Sequence, residues 1–227
     1  MCLKMNGELF RSAIIRFAAG VLLLGILLFV PAGSLNWPEA WLLMALLFLP
    51  MLVAGVVLMV KNPALLARRL NSRESEPAQR QVIALSALMF VAAFVIAGLN
   101  KRFGWIVMPR WSVLVAAALF LMGFLMYGEV LRENEYLSRT VEVAEGQRVV
   151  DTGLYGVVRH PMYAATLLMF LSMPLVLGSP VSLAIMLIYP VLIVRRIRNE
   201  EELLKRDLPG YGEYTQKVKY RLIPGIW

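Results

Sequence analysis

The chain has 227 residues, 59% of them hydrophobic and only 17% charged, with a mean hydropathy of +0.69. Soluble domains carry about 45–50% apolar and about 25% charged residues, so a water-soluble globular domain is excluded. The net charge of +8 does not imply nucleic acid, because the basic residues fall between apolar runs, where lipid headgroups account for them.

A membrane-crossing helix needs about 20 mostly apolar residues. Four runs meet that length: 13–32, 40–60, 82–99 and 112–131. The first has Arg11 and Arg16 at its start and lacks a small-residue cleavage site, so it reads as a retained span. A fifth apolar stretch, 163–194, is too long for one span at 1.5 Å per residue and carries Gly178-Ser179-Pro180 in its middle. That break predicts two short, paired helices forming a hairpin, which gives six crossings. Two polar segments, 132–161 and 195–227, are too long to be turns; residues 195–206 read as a charged helix that continues the last span and ends at Pro209-Gly210. The expected architecture is all-α and polytopic, a single membrane domain over 1–227, with four spans in 1–131 and the chemistry in 132–227.

Charge placement sets the orientation. Twenty of the 23 Lys and Arg residues, among them Lys4, Arg68, Arg69, Arg73, Arg132, Arg139, Arg195 and Arg206, fall on one side; Lys101, Arg102 and Arg110 fall on the other. The positive-inside rule places both termini in the cytosol. Trp37, Trp41, Trp105 and Trp111 stand at the opposite ends of the spans, as interfacial anchors would.

Two clusters could carry chemistry. The first is the run from Gly153 to Tyr163, which places His160, the sole histidine, beside Arg159 where the chain re-enters the membrane. Pro161 suits the first turn of the next helix, and the free N–H groups there with Arg159 beside them would attract an anion. Equally, Arg159 could snorkel to headgroups while His160 caps the helix. The second cluster, from Arg195 to Glu202, ends in three glutamates spread over a wide arc, so at least one should face the protein; Arg196 and Glu200 share a face. Carboxylates there could take an ammonium or ribose hydroxyls, or form a solvated charge ladder. No G-x-G-x-x-G, no phosphate-cradling loop and no Ser/His/Asp set occurs, and Cys2 as the sole cysteine leaves neither a disulfide nor a metal cluster to build. The spans hold little charge beyond Glu129, unlike the buried ionisable groups of many transporters.

The two clusters together resemble the isoprenylcysteine carboxyl methyltransferase family, including its bacterial members and the related phospholipid methyltransferases. The resemblance rests on Gly146-Gln147-Arg148-Val149-Val150, Gly153-x-Tyr155 and Arg159-His160-Pro161-x-Tyr163, then Arg196-x-x-x-Glu200-Glu201-x-x-Leu204 and Gly210-Tyr211-x-x-Tyr214. In the N-terminal half, residues 35–41 and Asn62-Pro63-x-Leu65-Leu66 look like the bacterial branch, which implies a bacterial plasma membrane. The family implies S-adenosylmethionine (SAM) in a cytosolic pocket without a Rossmann fold. By this resemblance the cofactor contacts fall on Gln147, Val149, Val150, Tyr155, Arg159, His160, Pro161, Met162, Tyr163, Glu200 and Glu201. Arg196 would orient a lipid-like acceptor, such as an isoprenylcysteine carboxylate, entering from the bilayer. Gln147 stands where the family often has His, and Ala165 where it often has Gly; Ala165 could alter the fit of the hairpin against the ligand.

Phospholipid N-methylation is the neighbouring alternative. The C-terminal run from Val218 to Trp227 also resembles the end of membrane sterol reductases, which use NADPH. A non-enzymatic membrane scaffold would treat both clusters as headgroup contacts.

Overall fold

A computed structural model describes residues 2–71, 77–138, 140 and 142–227. Arg73 and Arg139, counted in the charge asymmetry, lie outside the described residues. Nine α-helices and one short 3₁₀ turn make up the regular structure among the described residues: α1 Cys2–Ala32, α2 Pro38–Lys61, α3 Pro63–Leu70, α4 Pro77–Phe103, α5 Arg110–Glu133, the turn Gly153–Gly156, α6 Pro161–Val176, α7 Pro180–Met186, α8 Tyr189–Asp207 and α9 Tyr211–Lys217. Five stretches are long and apolar enough to cross a membrane: Gly7–Ala32, Pro38–Lys61, Gln79–Phe103, Arg110–Glu133 and Pro180–Asp207.

The hairpin forms where the sequence places it, with one short limb, Pro161–Val176, while its other limb runs on through Pro180–Asp207 as a stretch long enough to cross. Helix α6 has 16 residues, about 24 Å at 1.5 Å per residue, against a hydrocarbon core of about 30 Å. The turn itself stops α6. Gly178 adopts φ +68°, a left-handed conformation that residues with a Cβ rarely take. Ser179 then caps α7 by accepting the N–H of Ser182, and Pro180 fills the first helical position. Ser182 in turn donates to the carbonyl of Ala93, 2.7 Å away, fastening the hairpin to α4.

Close packing of α5 on α6 sets the frame of the second half. At Gly123 a Cβ would come within 2.7 Å of Met169 Cγ and 2.9 Å of the Ala165 carbonyl. Without a hydrophobic drive between helices in lipid, small residues that let backbones approach supply the association. Ala165 is fully buried in this seam, so it bears on helix packing; the expected effect on ligand fit has no direct contact behind it, because Ala165 does not border the cleft described below. Trp37 is another correction. It is 1% exposed and lies edge-on to Phe29, a core residue and not an interfacial anchor. Trp41, Trp105 and Trp111 are half or more exposed.

Helix α3 explains what the Asn62-Pro63 motif does. Asn62 caps it through Leu65 N–H at 3.0 Å, and Leu65 and Leu66 bury its apolar side. Arg68 and Arg69 then donate to the carbonyls of Glu135 and Ser138 at 2.7 and 2.8 Å. The N-terminal half thereby grips the loop that follows α5.

Candidate functional site

At the end of the bundle where α5 stops and α6 begins, an open cleft encloses about 830 Å³ counted out to its mouth. Its walls come from the loop after α5 (Asn134, Tyr136, Ser138, Thr140), from residues 147–150, from 155 and 159–163, and from α8 and α9. Of the residues that the resemblance assigns to cofactor or acceptor, all but Glu201 border this one cleft: Gln147, Val149, Val150, Tyr155, Arg159, His160, Pro161, Met162, Tyr163, Arg196 and Glu200.

Glu201 stands behind the wall and organises it. It is 3% exposed. Its Oε1 accepts from Arg159 Nε at 2.8 Å and lies 3.2 Å from His160 Nε2. Its Oε2 takes Arg221 through Nε at 3.0 Å and Nη2 at 2.9 Å. Arg159 is itself buried and sends Nη1 to the carbonyls of Val218 and Lys219, both at 2.8 Å. It therefore does not snorkel to headgroups, and its Nε and Nη1 serve Glu201 and the C-terminal tail instead of an incoming anion. His160 occupies the N-cap position of α6 but makes no side-chain cap bond, since its ring is turned to Glu201. The main chain completes the arrangement: the N–H groups of Arg159 and His160 donate to the carbonyls of Tyr220 and Arg221 at 2.9 Å. Two adjacent backbone bonds thus fasten the tail to the start of α6.

Arg196 and Glu200 share a face, as their spacing requires, and Tyr163 lies between them. Arg196 Nε donates to the Tyr163 hydroxyl at 2.8 Å, with its guanidinium 5.9 Å from the ring centre. The Tyr163 hydroxyl donates onward to Glu200. The glutamate run thus divides as its arc implies, with Glu200 at the cleft, Glu201 buried behind it and Glu202 exposed.

Gln147 closes its own turn. Its Oε1 accepts from Ala144 N–H at 2.8 Å and its N–H donates to the Ala144 carbonyl at 3.0 Å. Tyr155 receives a hydrogen bond from Asn134 Nδ2 at 2.9 Å, and burial pushes its hydroxyl up to about 12. Burial also raises Tyr211 and Tyr214, so these three phenols stay protonated at neutral pH. Tyr214 donates to the Tyr155 carbonyl at 2.8 Å. The Tyr211 hydroxyl, on a residue 4% exposed, meets no partner among the described residues.

Sequence reasoning missed Asn134, Tyr136, Ser138 and Thr140, which sit in a loop with no motif to mark it. Tyr211 and Tyr214 were visible in the Gly210-Tyr211-x-x-Tyr214 pattern, without an assigned role.

Residues 111–209 match the phospholipid methyltransferase family. By sequence the chain is 33% identical over 91 residues to the Delta(14)-sterol reductase TM7SF2 of Mus musculus, covering 39% of this chain and 22% of that protein. It is 23% identical over 138 residues to the Delta(14)-sterol reductase of Methylotuvimicrobium alcaliphilum, covering 53% and 32%. The chain thus spans a third or less of the length of these curated relatives. Among solved structures it is similar to the eukaryotic intramembrane Ras methyltransferase ICMT (isoprenylcysteine carboxyl methyltransferase). The TM-score is 0.56 at 17% identity, over 90% of this chain and 74% of that one. The matched family segment ends before Tyr211 and the tail that pairs with Arg159. The chain is a multi-pass membrane protein whose residues 111–209 match the phospholipid methyltransferase family, and it shares the fold of the isoprenylcysteine carboxyl methyltransferase.

Proposed function

We propose that this chain transfers a methyl group from SAM to a lipophilic acceptor at the cytosolic membrane interface, with both termini in the cytosol. The observation that carries the reading is the convergence of residues from four separate segments on one cleft beside an apolar hairpin. The donor set suits a zwitterionic nucleoside. Glu200 offers a carboxylate, Tyr211 an orphan phenol, and residues 148–150 a main chain to which nothing among the described residues hydrogen-bonds. Gln147, Val149, Val150, Tyr155, His160, Pro161, Met162, Tyr163 and Glu200 would hold the cofactor, with Arg159 and Glu201 bracing them from behind. When bound, SAM supplies an electrophilic methyl on a sulfonium.

Methyl transfer is an in-line displacement that depends on alignment and exclusion of water, not on a covalent nucleophile. Arg196, pinned by Tyr163, has the charge and rigidity to orient an acceptor carboxylate; the match to phospholipid methyltransferases makes an amine headgroup the other acceptor in view. Incubating purified protein with methyl-labelled SAM and either a prenylated cysteine or a phosphatidylethanolamine vesicle tests the reading. Label in either lipid supports it and chooses the acceptor; no label in any membrane lipid fraction contradicts it.

A second reading is favoured by the similarity to sterol reductases and by the tail from Val218 to Trp227. On that reading the cleft takes NADPH. Oxidation of NADPH in the presence of an unsaturated sterol, with no methyl transfer, would establish it.

A further inference from the structure

Helix α3 carries its two arginines on the side it turns to the protein. At about 100° per residue, Leu65, Leu66, Arg68 and Arg69 fall within one arc of the helix, while Ala64 and Ala67 occupy the other. The arc with the leucines is the buried one: Leu65 and Leu66 are 2% and 7% exposed, whereas Ala64 and Ala67 lie open. Arginines serving headgroups would project away from the leucines. These two point with them, at the loop that follows α5. Arg68 Nη1 reaches the Glu135 carbonyl at 2.7 Å, and its guanidinium lies 5.6 Å from the centre of the Tyr136 ring. Arg69 spans two elements, giving Nη1 to the Ser138 carbonyl at 2.8 Å and Nη2 to the Tyr127 hydroxyl on α5. Leu65 packs in one cluster with Leu137. Among the described residues no other helix hydrogen-bonds to the main chain of residues 135–138.

We propose that Arg68 and Arg69 are positioning residues of the cleft: they hold its loop wall in the binding geometry and thereby set its affinity for the cofactor. Asn134, Tyr136, Leu137 and Ser138 all border the cleft, and α3 itself does not. The loop leaves α5 at Asn134, which donates to Tyr155. Beyond that point its own bonds are short-range. Asn134 accepts the N–H of Tyr136 at 3.0 Å through Oδ1 and that of Leu137 at 3.3 Å through its carbonyl. Such a turn keeps its shape but not its place, and the place comes from α3. A wall already ordered binds more tightly, because ordering it on binding would subtract from the affinity. The guanidinium suits the task, since it donates in fixed directions and lets Arg69 tie Ser138 to α5 in one geometry. The inference rests on the reading that the cleft holds a nucleoside cofactor. It goes beyond that reading by giving a part in binding to the N-terminal half, which precedes the matched segment 111–209.

The test uses the detergent-purified full chain and two readouts below its melting temperature. One is hydrogen exchange at the Tyr136 and Leu137 amides without ligand; the other is calorimetric titration with S-adenosylhomocysteine and with NADPH. In Arg69→Ala those two amides are expected to exchange at least tenfold faster, with α5 and α6 unchanged. S-adenosylhomocysteine should bind about tenfold more weakly, the worth of one charge-assisted hydrogen bond. Arg69→Lys keeps the cation but reaches one acceptor at a time, so its losses should be smaller than those of Arg69→Ala. Lys61→Ala removes an exposed charge at the end of α2 and should match wild type in both readouts. Should Arg69→Ala fail to fold, Arg68→Ala cuts the tie to Glu135 and should change both readouts in the same direction. Unchanged exchange, faster exchange with full affinity, or equal losses in Lys61→Ala each overturn the positioning role while the cofactor reading stands. Wild type that binds NADPH alone overturns the methyltransferase reading, and the positioning role then stands or falls on NADPH affinity by the same criteria. No binding of either compound by folded wild type removes both.

Discussion

Replacing Glu201 by Gln removes the charge on which the wall of the cleft is built. Glu201 is 3% exposed and Arg159 is 7% exposed, so the substitution leaves a buried guanidinium without its counter-charge. Breaking a buried ion pair from one side costs about 3–5 kcal/mol. The lower end applies here, because Arg159 keeps two carbonyl partners at 2.8 Å, from Val218 and Lys219. Arg221 adds little, since its side chain is 31% exposed and can turn to water. The expected loss is therefore about 3 kcal/mol, which for a protein of this size is about 6–12 °C in melting temperature. Thermal and SDS denaturation in one detergent measure it, with Glu202→Gln, exposed on the same helix, as a control expected within about 0.5 kcal/mol. A Glu201→Gln variant that melts within about 2 °C of wild type would refute the claim that this carboxylate holds the network together.

Arg196→Ala should lower turnover tenfold or more with less than a threefold change in cofactor affinity, because it is assigned to the acceptor; equal losses in both would show that it belongs to the cofactor. Gly123→Ala should cost about 1–3 kcal/mol by overpacking α5 on α6, where the new Cβ meets Met169 and the Ala165 carbonyl, and an unchanged melting temperature would mean the seam can yield. Alkaline pH should destabilise the protein in a defined window. Tyr155 titrates near 12 when folded against an ordinary value of 10, so its contribution is whole below pH 10 and is lost as pH rises toward 12. Tyr155→Phe should flatten the fall in melting temperature across that window, and a slope identical to wild type would assign the alkaline loss elsewhere.

Much of this molecule is legible in its sequence because the bilayer allows few solutions. Apolar runs of 20 residues must be helices, and Gly178-Ser179-Pro180 supplies a left-handed turn, a cap and a first helical residue in order. The candidate residues were legible as motifs, and the structure brings all of them but Glu201 to one cleft. Their partners were not. Arg159 read either as an anion contact or as a headgroup cation, because its counter-charge lies 42 residues away on α8, and its carbonyl partners about 60 residues away in the tail. Trp37 read as an anchor because spacing cannot separate a tryptophan facing lipid from one turned inward against Phe29. The length of α6 depended on where the turn began, which hydropathy does not report. The loop after α5 carries no pattern of its own, since its position is imposed from outside by Arg68 and Arg69 of α3.

On the proposed function, the cleft binds SAM. Calorimetric titration of the purified chain with SAM, with S-adenosylhomocysteine and with NADPH addresses it most directly. Saturable binding of the first two, with none of NADPH, is the predicted result. Binding of NADPH alone would contradict the account and move the chain to the reductase reading.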